Sequence, residues 1–184
     1  MKRMLLEGPA VEPVPVVEAK THLRLDGGEE DGLVGALIAA ARIAVETEIR
    51  RGLISQKWRL WVERWPAPGI FLPLMPAISV DEIRGIDKAG NITVLDPADY
   101  KFERVDGSVR IMDPVPLPAR AEIDFTAGYG TTGADVPEPL RQAIRLLVTH
   151  WYEHRSAVMS GEAVTAVPLG YRELVSPYRR LLLC

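Results

Sequence analysis

An α+β fold follows from three observations on the sequence. Both ends of the chain carry apolar residues at helical spacing, the middle carries short segments alternating with period two, and Pro- and Gly-rich stretches mark the changes of period. The expected arrangement is a helical bundle formed by both chain ends, with an inserted antiparallel β meander or small barrel. Residues 1–16 read as an extended N-terminal arm, 17–54 and 135–184 as the helical core, and 55–134 as the β-rich insertion.

The arm contains Pro9, Pro13 and Pro15 and no periodicity. These prolines favour extended chain over a packed element. Val17–Leu25 reads as a short helix, closed by Asp26-Gly27-Gly28, where glycine tolerates the positive φ of a C-cap. A long helix is expected over Glu29–Arg51, with Glu29, Glu30 and Asp31 suited to the positive end of its dipole and Arg50 and Arg51 to the negative end. It carries two apolar stripes: Leu33, Leu37, Ala40 and Ala44, and beside them Ile38, Ala41, Val45 and Ile49. Two stripes on one helix predict cover on more than one side.

From Ser55 the period becomes two. Trp58, Leu60 and Val62 face one side, and Arg59, Trp61 and Glu63 the other. Strands are expected over Ile70–Leu74, Ile78–Ile86, Asn91–Leu95, Tyr100–Val105, Ser108–Met112 and Ala121–Ala127. Turns every ~8–12 residues separate them, with Asp106-Gly107 the clearest hairpin signal. Helical spacing returns at Glu138–Arg155, where Leu140, Ile144, Leu147 and Trp151 align and prolines sit in the first turn. Ser156–Gly170 reads as irregular. A last helix is expected from Tyr171, interrupted at Pro177.

The 184 residues, 47% hydrophobic and 26% charged, suffice for a core that buries roughly 70% of the exposable surface. The net charge of −3 argues against a face that binds nucleic acid by neutralising phosphates. The single cysteine, Cys184, has no partner for an internal disulfide, so nothing points to secretion. No segment approaches the ~20 apolar residues of a membrane span, and no membrane partner is expected.

Three features invite chemistry. His150 and His154 stand at i, i+4 on one helical face, the spacing of a zinc-binding helix, and would serve a metal-dependent hydrolase. Glu153 lies just before the second histidine, however, so the HExxH order is absent, and polar positions on a partly exposed helix are the simpler reading. Gly128-Tyr-Gly-Thr-Thr-Gly133 lacks the Lys-Ser/Thr ending of a phosphate-binding loop and reads as a backbone reversal. Glu122 and Asp124 share a strand face without a partner base. Trp61 and Trp65 would serve a small-ligand or glycan-binding module. Trp61 is out of phase with the apolar side of its strand, which marks an interface candidate.

The ordered combination of EAKTHLRLD, ALIAAARIAVETEIRRGLISQKWRL, EIDFTAGYG and VPEPLRQAIRLLVTHWYEHR resembles the head–tail connector (adaptor) proteins of long-tailed bacteriophages, prophages and gene transfer agents. Pro168-Leu-Gly170 and Pro177-Tyr-Arg179 are similar to that family's C-terminal segment, and the resemblance spans Val17 to Tyr178. It implies a structural role with no catalysis and no cofactor, in a bacterially made particle, at its head–tail junction. Such proteins form a ring, usually twelvefold, under the portal protein. They extend the channel through which double-stranded DNA passes without sequence-specific binding, and they dock the next neck or tail protein, a stopper or tail terminator. The portal-binding segment carries over to Tyr171, Pro177, Tyr178, Arg179, Arg180, Leu181, Leu182 and Leu183.

A closed ring needs two unlike lateral surfaces. The expected ring interface is therefore Ile38, Ala41, Val45 and Ile49, divided between the subunit's own core and its neighbour, together with Trp61. A mildly acidic chain also suits a channel in which a basic lining would trap DNA.

Overall fold

The structure, a computed structural model, describes residues 2–66, 68–112, 115–154 and 168–180. The chain forms two compact units: Met1–Ala10 with Ser55–Tyr129, and Val11–Ile54 with Gly130–Cys184. The class is α+β.

The first unit is built of strands β1 (Lys2–Glu7), β2 (Gln56–Val62), β3 (Ile70–Phe71), β4 (Ala77–Ile86), β5 (Ile92–Val94), β6 (Tyr100–Glu103), β7 (Ser108–Ile111) and β8 (Arg120–Ala127). They make two open sheets, β1-β2-β8-β4-β5 and β3-β7-β6, with every pair antiparallel. The expectation of a meander or small barrel is corrected on two points. The larger sheet is not in chain order, because β8 enters between β2 and β4; nor does it close, because β1 and β5 remain at its edges. The reason lies in β8, where Ala121, Ile123, Phe125 and Ala127 are buried on one face, a pattern that suits a central strand. They join Leu60, Val62, Ile83, Ile70, Leu72 and Val109 in one core drawn from both sheets.

Lys2–Glu7 departs from the expected unpacked arm: it pairs with β2 from Lys2↔Trp61 to Glu7↔Lys57. No proline falls within these six residues; the three prolines of the arm come later. The Asp106-Gly107 hairpin forms as expected between β6 and β7, with Gly107 at φ +72° and the Asp106 carboxylate accepting from the Ser108 amide at 2.8 Å.

The second unit holds α1 (Val16–Leu23), α2 (Asp31–Ile49), α3 (Glu138–Glu153) and α4 (Tyr171–Val175). α2 and α3 pack on each other, α1 packs on both, and α4 packs on α3. α1 and α2 end earlier than the glycine signals suggest. Arg24 and Arg50 adopt left-handed caps at φ 57° and 56°, and their amides close back on the final turns. That conformation costs a non-glycine residue roughly 1 kcal/mol, which the packed helix ends sustain. In α3, Leu140, Ala143, Ile144, Leu147 and Val148 are buried and Trp151 is half-buried, the face its spacing predicts. α4 passes at Ser176–Tyr178 into a single 3₁₀ turn around Pro177. Of the irregular stretch expected at Ser156–Gly170, residues 156–167 lie outside the described residues.

Candidate functional site

The two stripes of α2 have opposite fates. Ile38, Ala41, Val45 and Ile49 are all 0% exposed within the chain itself. Expected to be divided between the subunit's own core and a neighbour, they leave no accessible surface outside that core within the chain. Each large one contributes about 1.5–3 kcal/mol to this unit's own core. The other stripe is the uncovered one. Leu33 is 39% and Ile43 54% exposed, Ala36 and Ala40 are exposed, and Leu37 and Ala44 are half-buried. The helix thus presents an apolar outer face about three turns long.

Between the stripes, Arg42 is 9% exposed. It donates to Glu12 at 2.8 Å and to Glu46 at 2.9 Å, while Glu46 also accepts from the Leu53 amide at 2.8 Å. Burial alone would lower the Arg42 pKa, but the hydrogen bond it donates to Glu12 and the charges of both carboxylates raise it, so its charge is held.

The C-terminal segment is anchored on the end of α2. Tyr171 is 3% exposed and Val175 fully buried. The Tyr171 hydroxyl donates to Glu48 at 2.7 Å, and Arg179 pairs with the other oxygen of the same carboxylate. Arg51 donates to the Tyr178 carbonyl at 2.6 Å, and the Arg180 amide to the Ile49 carbonyl at 3.1 Å. Burial would raise Glu48, but the hydrogen bonds from Tyr171 and Arg179, with the charge of Arg179, hold it below the usual carboxylate range. Burial, then the bond to Glu48, pushes the Tyr171 phenol upward, so it remains a donor at neutral pH.

Of the expected portal-binding set, Tyr171 is buried and bonded within the subunit's own fold. Pro177 and Arg179 are exposed, Tyr178 and Arg180 half-buried. Leu181, Leu182 and Leu183 lie outside the described residues. Sequence reasoning missed Glu48 and Arg51 as the anchor. The available signal was an acidic residue in the last turn of α2, where the helix dipole disfavours it and a cationic partner is called for.

Trp61 stands on the outer face of the larger sheet, half-buried, its indole N–H donating to Glu122 at 3.0 Å. Around it Asp124 accepts from Arg59 at 2.7 Å and from Arg84 at 3.1 Å. The hydrogen bond from Arg59, against the opposing effect of burial, holds Asp124 below the usual range. Glu122 and Asp124, adjacent on one face as expected, are thus committed to ion pairs. Trp65, 5% exposed, belongs to the core rather than to a ligand platform.

His150 and His154 do come together, with ring centroids 4.4 Å apart, and His154 Nδ1 lies 2.8 Å from the His150 carbonyl. Among the described residues no group of three or more His, Cys, Asp or Glu side chains is placed to hold a metal ion. In the glycine-rich loop the amide and hydroxyl of Thr132 both donate to Asp135, at 2.8 and 2.9 Å. A Cβ on Gly130 would fall 2.4 Å from the Asp135 carboxylate. The loop cradles its own carboxylate, not a phosphate.

Residues 14–181 match the model of a protein family described as Head completion protein (HCP). The chain belongs to the head completion protein family. Its similarity to solved structures is of full length. A chain from the neck of an empty GTA particle, computed with C6 symmetry, is 32% identical, with 98% of this chain and 97% of that one covered and a TM-score of 0.80. A chain from the virion of a native gene transfer agent (GTA) particle is 28% identical over 100% and 98%, at TM-score 0.82. A chain from the neck of a native GTA particle, computed with C12 symmetry, is 28% identical over 98% and 97%, at TM-score 0.77. A comparison with curated proteins finds no match. The family and these necks are structural, so the histidine pair and the carboxylates are read as parts of an assembly protein and not of an enzyme.

Proposed function

We propose that this head completion protein is a neck connector: copies form a ring under the portal, continue the DNA channel and dock the next neck or tail-side protein. The observation that carries the reading is the end-to-end similarity to chains of GTA necks solved with sixfold and twelvefold symmetry. Twelve copies is the count the C12 neck supports. The net charge of −3 suits a channel wall past which double-stranded DNA slides without being held.

The exposed outer face of α2, with Leu33 and Ile43, is the part of this helix left to meet a neighbouring copy. The tail from Pro177 onward, with Arg179, Arg180 and Leu181–Leu183, is the portal-binding segment. Glu48 and Arg51 hold the described part of that segment, through Tyr171, Tyr178 and Arg179, on the end of α2. Removing residues 181–184 tests this, since the anchor is untouched. The truncated chain is expected to unfold at the same denaturant concentration as the full chain and to be missing from purified particles. Normal incorporation of the truncated chain overturns the assignment of the tail. Electron micrographs of the neck test the ring itself, and a single copy per neck overturns it.

A further inference from the structure

Among the described residues of the first unit, five exposed large apolar side chains lie on two of its strands. Met4, Leu5 and Leu6 on β1 are 46%, 43% and 37% exposed, and Ile92 and Val94 on β5 are 65% and 59% exposed. These are the two edge strands of the same five-stranded sheet, each with one sheet neighbour among the described residues. All six residues of β1 and all three of β5 are exposed. An open edge offers a row of unpaired backbone N–H and C=O groups, and natural proteins normally blunt it with charge, proline or a bulge. On β1, Lys2 and Arg3 at one end, Glu7 at the other and a bulge between Leu5 and Glu7 leave Met4–Leu6 as the uncharged stretch of the edge, while Ile92-Thr93-Val94 carries no charge and no proline.

We propose that the two edges meet between copies: β1 of one subunit lies beside β5 of the next, continuing the sheet around the ring. The proposal rests on the ring reading above and specifies its contact. A second copy is the occupant because the two edges differ, so their contact is heterologous, and heterologous contacts with a closing rotation generate rings. The sheet polarity agrees. With five strands and every neighbouring pair antiparallel, β1 and β5 run in the same direction. A rotation about an axis along the strands keeps that direction in every copy, so β5 and the neighbour's β1 meet as a parallel pair. Three residues of β5 limit the shared ladder to a few hydrogen bonds; Ile92 and Val94 against Met4–Leu6 supply apolar cover beside it. β1 precedes the family match, which begins at residue 14, yet the native virion chain aligns over the whole length of this one.

Cysteines placed on the two edges decide it. In a Cys184→Ser chain, Leu5→Cys and Thr93→Cys are combined, with Met4→Cys and Thr93→Cys as a second pair in case the register is offset by one. All these positions are exposed, so the fold should tolerate them. Necks assembled from the double variant are treated with a short bis-maleimide and run on a denaturing gel. A ladder of multimers extending beyond the dimer is expected, with more than half of the chain leaving the monomer band. Each single variant should stay monomeric. Products that stop at the dimer overturn the proposal, because they show an isologous contact. An intact ring in micrographs with no ladder from either pair overturns the edge contact and leaves the connector reading standing. Necks without a ring overturn both.

Discussion

The inner and outer stripes of α2 have the same period and lie on one helix, yet one is sealed and the other is only partly covered. Ile38, Val45 and Ile49 are fully buried, while Leu33 and Ile43 keep 39% and 54% of their surface. Three of the four inner residues, Ile38, Val45 and Ile49, are β-branched, while two of the four outer ones are alanine. Periodicity shows that a face is apolar. It does not show whether the cover comes from the same chain or from another.

The sharpest test of that distinction is to cut both stripes alike. Ile38→Ala should cost about 2–5 kcal/mol in denaturant unfolding, because it removes buried methylenes and leaves a cavity that surrounding helices only partly fill. Leu33→Ala, on the outer stripe, should cost less than about 1 kcal/mol. Equal costs would mean that the two faces are not distinct within the subunit.

Arg42 gives the next largest effect. Arg42→Ala leaves Glu12 and Glu46 without the cation they share, and Glu46 also serves the Leu53 amide. A loss of about 3 kcal/mol is expected, since breaking a largely buried pair strands its partners. Glu12→Gln, which removes the more exposed carboxylate, should cost clearly less.

Fold class and most strands were legible in the sequence because they depend on local rules. The alternation at Trp58–Val62, the Asp106-Gly107 turn and the α3 stripe all appear where spacing and turn chemistry put them. β1 was not legible. Its six residues have no alternation of burial, because an edge strand with both faces exposed need not alternate. The insertion of β8 between β2 and β4 was equally hidden, since sequence proximity favours neighbouring strands and only tertiary packing selects the longer connection. At the C-terminus the sequence did not show what holds Tyr171, Tyr178 and Arg179. That hold comes from Glu48 and Arg51, more than a hundred residues away in the chain.

That anchor predicts a pH dependence. The Glu48 carboxyl is held below its ordinary range in the fold, so its contribution is present above the ordinary carboxylate pKa and is lost as pH falls through the lowered value. Amides of the segment from Tyr171 to Arg180 should be protected from hydrogen exchange at pH 7 and lose protection below about pH 4. In Glu48→Gln the acid-dependent part of that loss should vanish. Tyr171→Phe, which removes the hydroxyl but not the buried ring, should weaken the anchor by about 1 kcal/mol without abolishing it. Unchanged exchange in both variants would show that Val175 and the backbone bonds alone hold the segment.

The smallest effect on the fold is expected where the effect on assembly should be largest. Ile43→Asp places a charge on the outer stripe at a position already 54% exposed, so it opens no cavity and buries no unpaired group. Its cost in an isolated subunit should stay within about 1 kcal/mol, mostly lower helix propensity. If a neighbouring copy covers this face, the same carboxylate must be desolvated without a partner, and the ring should lose occupancy in purified necks. Normal rings from Ile43→Asp would mean that the outer stripe is simply tolerated by water, and would leave the sheet edges as the contact that holds the copies together.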